Sequence, residues 1–138
     1  MFLFDTNAVC EPFKDQGDPK ALAWIRACPP DQVFVSTVTI AEISYGMERV
    51  SPGRKADRIR VWRDRLIANL GERLLPVDAQ IAMAQARIRR AAENARRTMP
   101  SIDAFLAATA EVHGLTLVTR NVRDFEAWGG PVLDPWSA

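Results

Sequence analysis

Five short apolar runs, separated by stretches with helical periodicity, set the class of fold open to this chain. They are Phe2-Leu3-Phe4, Val33-Phe34-Val35, Leu74-Leu75-Pro76-Val77, Leu115-Thr116-Leu117-Val118 and Val132-Leu133. Uninterrupted runs of this length suit strands covered on both faces, the situation in a parallel sheet flanked by helices. Pro76 cannot donate to a ladder, so the third run belongs at an edge or a strand end. Helical patterns lie between the runs. They cover 19–27, with Leu22 and Ile25 inward, 38–50, and 54–70, with Ile59, Trp62, Leu66 and Leu70 on one face. A further pattern over 78–97 puts Ile81, Ala84, Ile88, Ala91 and Ala95 on one stripe, with Asp78 at its N-cap. Residues 101–113 form another, started by Ser101 and stopped by Gly114, and 121–128 form a last short one. Strands alternating with helices predict an α/β domain with a parallel sheet. The 138 residues hold no repeat or linker, so a single domain spanning 1–138 is expected.

Hydrophobic residues at 48 % and charged residues at 25 % exclude intrinsic disorder. No apolar run approaches the roughly 18 residues of a membrane span, so no membrane role is expected. The start, Met1 to Asp5, lacks the basic region of a signal peptide, which places the chain in the cytoplasm. Cys10 and Cys28 then read as reduced thiols, since two cysteines make neither a disulfide framework nor a zinc set. The net charge is only +1, yet 49–97 carries thirteen Lys/Arg against five Asp/Glu. That basic middle suits a face for a polyanion, or equally a set of solvated helices rich in arginine.

In open parallel sheets ligands bind beyond the carboxyl ends of the strands. Asp5, Thr6 and Asn7 follow the first run. Ser36 and Thr37 follow the second, with Glu42 about a turn later. Thr119, Arg120 and Asn121 follow the fourth, with Asp124 one turn on. Asp103 stands out among these, as the single charge in the segment Ile102 to Ala110. A helix apolar all round is buried, and a lone carboxylate there is costly unless it is paired or coordinated. Each acid also has a plainer reading. Asp5 can shape a turn, Thr39 to Glu42 matches a capping box, Asp103 can cap its own helix, and Asp124 can be a surface residue. Together, three or four converging carboxylates would repel one another without a cation, and an oxygen-only set selects Mg2+ or Mn2+ over zinc. The one histidine, His113, sits at a helix C-terminus, and no Ser, Cys or glycine-rich loop has the partners that triads or phosphate cradles need. Metal-assisted hydrolysis of a phosphodiester is the chemistry that remains.

The order Asp5-Thr6-Asn7, then Ser36 to Ile43 with Gly46, then Asp103 in Ile102 to Ala110, then Leu117 to Phe125 resembles the PIN-domain ribonucleases. The likeness is strongest to the VapC-like and FitB-like toxins of bacterial toxin–antitoxin pairs, and it spans essentially the whole chain. The resemblance implies a three-layer α/β/α sandwich around about five parallel strands, with the fourth strand beside the first. It implies Mg2+- or Mn2+-dependent cleavage of single-stranded RNA by a metal-activated water, leaving a 5′-phosphate and a 3′-hydroxyl. By position, Asp5 and Asp103 would be the main metal ligands, Glu42 a third acid and Asp124 a fourth. Thr6, Ser36, Thr119 and Asn121 would support them. Asn121 stands where many relatives carry an Asp, which leaves open how many ions are held. The resemblance also implies a homodimer and a cognate antitoxin that fills the groove and brings DNA binding.

Two other readings accompany this one. A catalytically silent PIN-like domain would bind RNA or a partner without cutting. A phosphatase with a strand-end Asp nucleophile would need Asp-x-Asp after the first strand, and Asn7 occupies the second position.

Overall fold

The computed structural model describes residues 1–137. Five parallel strands, β1 (Phe2–Phe4), β2 (Val33–Ser36), β3 (Leu74–Leu75), β4 (Thr116–Val118) and β5 (Val132–Leu133), line up in the order β3-β2-β1-β4-β5. Phe4 is paired with Val35 on one side and Val118 on the other, so the fourth strand lies beside the first as expected. β3 is an edge strand that ends at Leu75, before Pro76. The helices are α1 (Thr6–Cys10), α2 (Pro19–Ala27), α3 (Thr37–Arg49), α4 (Arg54–Leu70), α5 (Ala79–Asn94) and α6 (Ser101–His113).

Strand alternation divides the core into two halves. Leu3, Leu75 and Leu117 face α5 and α6, meeting Ile81, Ile88, Leu106 and Leu115. Phe4, Val35 and Val118 point the other way, onto Ala8 of α1, Ala21 of α2, Ile43 of α3 and Leu70 of α4. Because both faces of each central strand are covered, Phe2 to Phe4, Val33 to Val35 and Leu117 to Val118 are apolar in succession. Each fully buried leucine contributes roughly 2–3 kcal/mol. The result is the three-layer α/β/α sandwich, with helices on both faces of the sheet.

Local details depart from the sequence expectation at several points. The buried row of α5 is Ile81, Gln85, Ile88 and Ala92, while Ala91 and Ala95 are exposed and the helix ends at Asn94. The alanines carry too little hydrophobic contrast to fix the stripe. In α2 the inward residues are Ala21, Trp24 and Ile25. Ser101 is the first helical residue of α6, and Pro100 takes the N-cap, where no side chain bonds the helix. The segment 121–128 is only a 3-10 turn, Val122–Phe125, rather than a longer helix. Trp62 stacks on Phe13 with ring centroids 4.6 Å apart and joins the α4 side of the core, as its stripe with Leu66 implies.

One buried acid lies outside the rim. Glu11 is 2 % exposed, accepts a hydrogen bond from the Asp18 N–H at 2.7 Å, and pairs with Lys14 at 2.9 Å. Burial raises its carboxyl, but the Asp18 amide and the Lys14 ammonium outweigh that and hold it below the usual carboxylate range. It ties α1 to the N-cap of α2, since Asp18 in turn accepts from the Ala21 N–H. Glu11→Ala strands a buried amide and is expected to cost about 2 kcal/mol in urea unfolding at pH 7. Because the folded pKa is depressed, this contribution is present above the unfolded value of 4.5 and is lost as pH falls below it. An unfolding midpoint unchanged in the variant would contradict the assignment.

Candidate functional site

The chain leaves β1 for β2 and β3 on one side and later fills β4 and β5 on the other, so the adjacent carboxyl ends of β1 and β4 form a topological switch point. Asp5 is the first residue beyond β1. Its N–H bonds the Val118 carbonyl at 3.0 Å, and its Oδ1 accepts from the Ala8 N–H at 2.9 Å, capping α1. Asp5 is thus fixed by the sheet and the helix at once, and it is 5 % exposed. Thr6 opens α1 and donates its hydroxyl to Glu42 Oε1 from α3. Asp103 lies in the first turn of α6, where the helix dipole favours an anion. Asp124 lies in the 3-10 turn after β4, exposed at the rim.

The four acids share one field. Burial pushes the Asp103 carboxyl up to about 6, and Asp124, Glu42 and Asp5 each add to the rise. Asp5 is also raised, by burial first and by Glu42, against the opposing pull of the Thr119 hydroxyl and the Ala8 amide. Carboxylates just beyond β1, in α3 and in the turn after β4 therefore act on Asp103 of α6 although they are distant in sequence. Like charges gathered in a partly dry site disfavour ionisation together.

The supporting residues divide into two groups. Thr119 is fully buried beside Asp5, and its hydroxyl accepts from the Asn121 N–H at 3.0 Å. Ser36 is fully buried too, but its hydroxyl caps α3 by accepting from the Val38 N–H at 3.0 Å. That cap also corrects the capping-box reading of Thr39 and Glu42. The helix starts at Thr37, so Glu42 lies past the first turn and bonds Thr6 instead. Thr39 is buried, and its hydroxyl has no partner among the described residues. Asn121 is exposed beside the site.

The donor set suits a hard divalent cation. It consists of carboxylate, hydroxyl and amide oxygens, without imidazole. Cys10 feels Asp5 and Glu42, but burial, with those acids adding and Lys14 opposing, pushes its thiol up to about 11. It stays protonated at neutral pH and offers no thiolate. As they stand, no three acidic, histidine or cysteine groups among the described residues close on a common point. The acids are near enough to repel and are not drawn into a finished cage. Among the described residues no helix is long and apolar enough to cross a membrane.

Comparison with known proteins follows the same lines. A family model described as PIN domain matches residues 2–129. The chain is 32 % identical over 137 residues to the Toxin FitB of Neisseria gonorrhoeae, covering 99 % of each. It is 31 % identical over 140 residues to the VapC ribonuclease Y4jK of Sinorhizobium fredii, covering 99 % of this chain and 98 % of the other. The crystal structure of FitAcB from Neisseria gonorrhoeae superposes with a TM-score of 0.94 at 30 % identity over the full length of both chains.

Proposed function

The chain belongs to the PIN domain family, and from that premise we propose that it is the endoribonuclease toxin of a toxin–antitoxin pair, cutting single-stranded RNA with Mg2+ or Mn2+. The observation that carries this reading is the gathering of acids at the switch point, where Asp124, Glu42 and Asp5 add to the raised proton affinity of Asp103 and Glu42 adds to that of Asp5. Relatives of VapC type are named ribonucleases, and the solved structures that the chain resembles include a toxin–antitoxin complex from Klebsiella pneumoniae. An antitoxin partner, a homodimer, DNA contact through the antitoxin and a cytoplasmic location accompany that assignment.

Asp5 and Asp103 would hold the cation, with Glu42 and the more exposed Asp124 completing the set. When bound, such an ion lowers the pKa of water and stabilises charge on the phosphoryl oxygens. The chain's own contribution is position. The sheet and the α1 cap fix Asp5, and the α6 dipole steadies Asp103. Thr6 occupies one oxygen of Glu42, which leaves the other free to accept a proton from, or orient, the attacking water. Thr119 holds Asp5 and the Asn121 backbone in place, while Ser36 supports the site by fixing the start of α3.

Attack by water leaves a 5′-phosphate and a 3′-hydroxyl and makes no use of the 2′-OH. Cleaved RNA should therefore accept 5′-label from a kinase only after phosphatase treatment. A 2′-deoxy substitution at the cut site should also leave cleavage intact. A 2′,3′-cyclic phosphate product would overturn the water-attack reading. The silent-domain alternative predicts no products at all.

A further inference from the structure

Two helices of this chain end in the same hydrogen-bond pattern with different residues at its critical position. At the end of α6 the Leu115 N–H bonds the Ala110 carbonyl at 2.8 Å and the Gly114 N–H bonds Glu111 at 3.3 Å, with Gly114 at φ 64°. At the end of α5 the Arg97 N–H bonds the Ala92 carbonyl at 2.8 Å and the Arg96 N–H bonds Glu93 at 2.9 Å, with Arg96 at φ 57°. Both are Schellman endings, whose left-handed residue is normally glycine because a Cβ there crowds the backbone. Arg96 is the only non-glycine residue with positive φ among the described residues. A helix end that glycine would close more comfortably keeps an arginine. Such an outlier points to a function for the side chain.

The surroundings say what that function is. Arg96, Arg97, Thr98, Arg123, Asp124 and Ala127 line one surface cavity, so the acid cluster and this basic pocket share Asp124 as a common wall. Arg97 is engaged by Glu126 at 2.8 Å. Arg96 and Arg123 have no carboxylate partner among the described residues, although the chain places five other arginines in ion pairs of their own. Two unpaired guanidinium groups beside a hydroxyl make a site for a phosphate oxyanion, which a planar fork grips in two-point fashion.

We propose that Arg96, with Arg123 and Thr98, forms a subsite that grips a phosphate of the RNA other than the one being cut, and so positions the strand against Asp124. This rests on the ribonuclease reading above and adds a positioning residue to it. Single-stranded RNA is the favoured occupant because the next group along the surface is the acid cluster. A divalent cation held by those acids would draw the next phosphodiester of the same strand, whereas an acidic peptide is the other occupant that the test below separates.

The test uses the full chain with Arg96→Gly and Arg96→Lys. Glycine suits the left-handed position, so the first variant is expected to melt at or above the wild-type temperature. Binding of a 12-nucleotide single-stranded RNA, read by fluorescence anisotropy in EDTA, should weaken about tenfold, the loss of one good phosphate contact. The slope of log affinity against log salt should flatten by about 0.7, the single-strand value per contact. In cleavage, KM should rise about tenfold with kcat within about twofold, and Arg96→Lys should recover most of the affinity. Unchanged affinity and slope in Arg96→Gly would overturn the proposal. A lower melting temperature with kcat and KM failing together would also overturn it, by making Arg96 structural. Weakened binding of a poly-glutamate peptide with RNA binding intact would assign the pocket to an acidic protein segment instead. If the wild type binds RNA through Arg96 but never cuts it, the ribonuclease reading fails and the subsite stands.

Discussion

Asp103→Asn is expected to lower kcat/KM for RNA cleavage by about 10^3-fold while leaving the metal-free protein as stable as the wild type or more so. The loss follows from removing one of the charges that would hold the cation, an electrostatic term of the size seen when a single preorganised group is deleted from an active site. The stability effect has the opposite sign. Burial, reinforced by Asp124, Glu42 and Asp5, raises the Asp103 carboxyl from 3.8 to about 6, so the folded state binds its proton more readily than the unfolded state. That contribution is fully present below about pH 4 and is lost as pH rises through about 6. Asparagine carries no charge to repel, so at pH 7.5 the variant should gain about 1 kcal/mol once solvent screening is allowed for. Urea unfolding in EDTA from pH 4 to 8 measures it: the wild type loses stability across that range, and the variant loses less. A variant that unfolds more easily than wild type at pH 7.5 would mean that Asp103 is a structural cap.

Substitutions at Asp5 should separate the site's chemistry from its scaffold. Asp5→Asn retains an oxygen that can accept from the Ala8 N–H, the bond that caps α1. Asp5→Ala removes it and should cost about 1 kcal/mol of stability, the usual worth of an N-cap. Cleavage should fall by a similarly large factor, about 10^3, in both, because neither retains the charge. Activity and stability measured side by side decide the matter. Appreciable cleavage by Asp5→Asn would show that the carboxylate serves only the fold.

The layers of this fold are legible in the sequence because β1, β2 and β4 are covered on both faces. Phe2 to Phe4 or Leu115 to Val118 can belong to little else than a doubly buried strand. Asp103 is legible for a related reason: it is the single charge in the apolar segment Ile102 to Ala110, most of which is buried, and a charge there has no cheap place to go. Glu42 shows where local reading stops. Thr39 and Glu42 have capping-box spacing, but Ser36 reaches the Val38 amide first, and the partner of Glu42 is Thr6, 36 residues away. The α5 stripe is right at Ile81, Ala84 and Ile88 and drifts off the core at Ala91 and Ala95, because alanines barely differ between inside and outside and the buried row includes Gln85, whose amide reaches the Ser101 carbonyl. The α5 ending was invisible because its left-handed residue is Arg96 and not the glycine that marks Gly114. Glu11 was hidden as well, since what keeps it buried is a backbone amide that sequence does not display.

If Asp5, Glu42, Asp103 and Asp124 make a metal-dependent centre for cutting RNA, the purified, antitoxin-free chain incubated with a mixed single-stranded RNA pool, with and without Mg2+ or Mn2+, reveals it. An Asp5→Asn, Asp103→Asn double variant runs alongside. Cleavage that needs the cation, disappears in EDTA, returns when metal is restored and is absent from the folded double variant is the result expected here. Cleavage that persists in EDTA, or that the double variant retains, would contradict the claim.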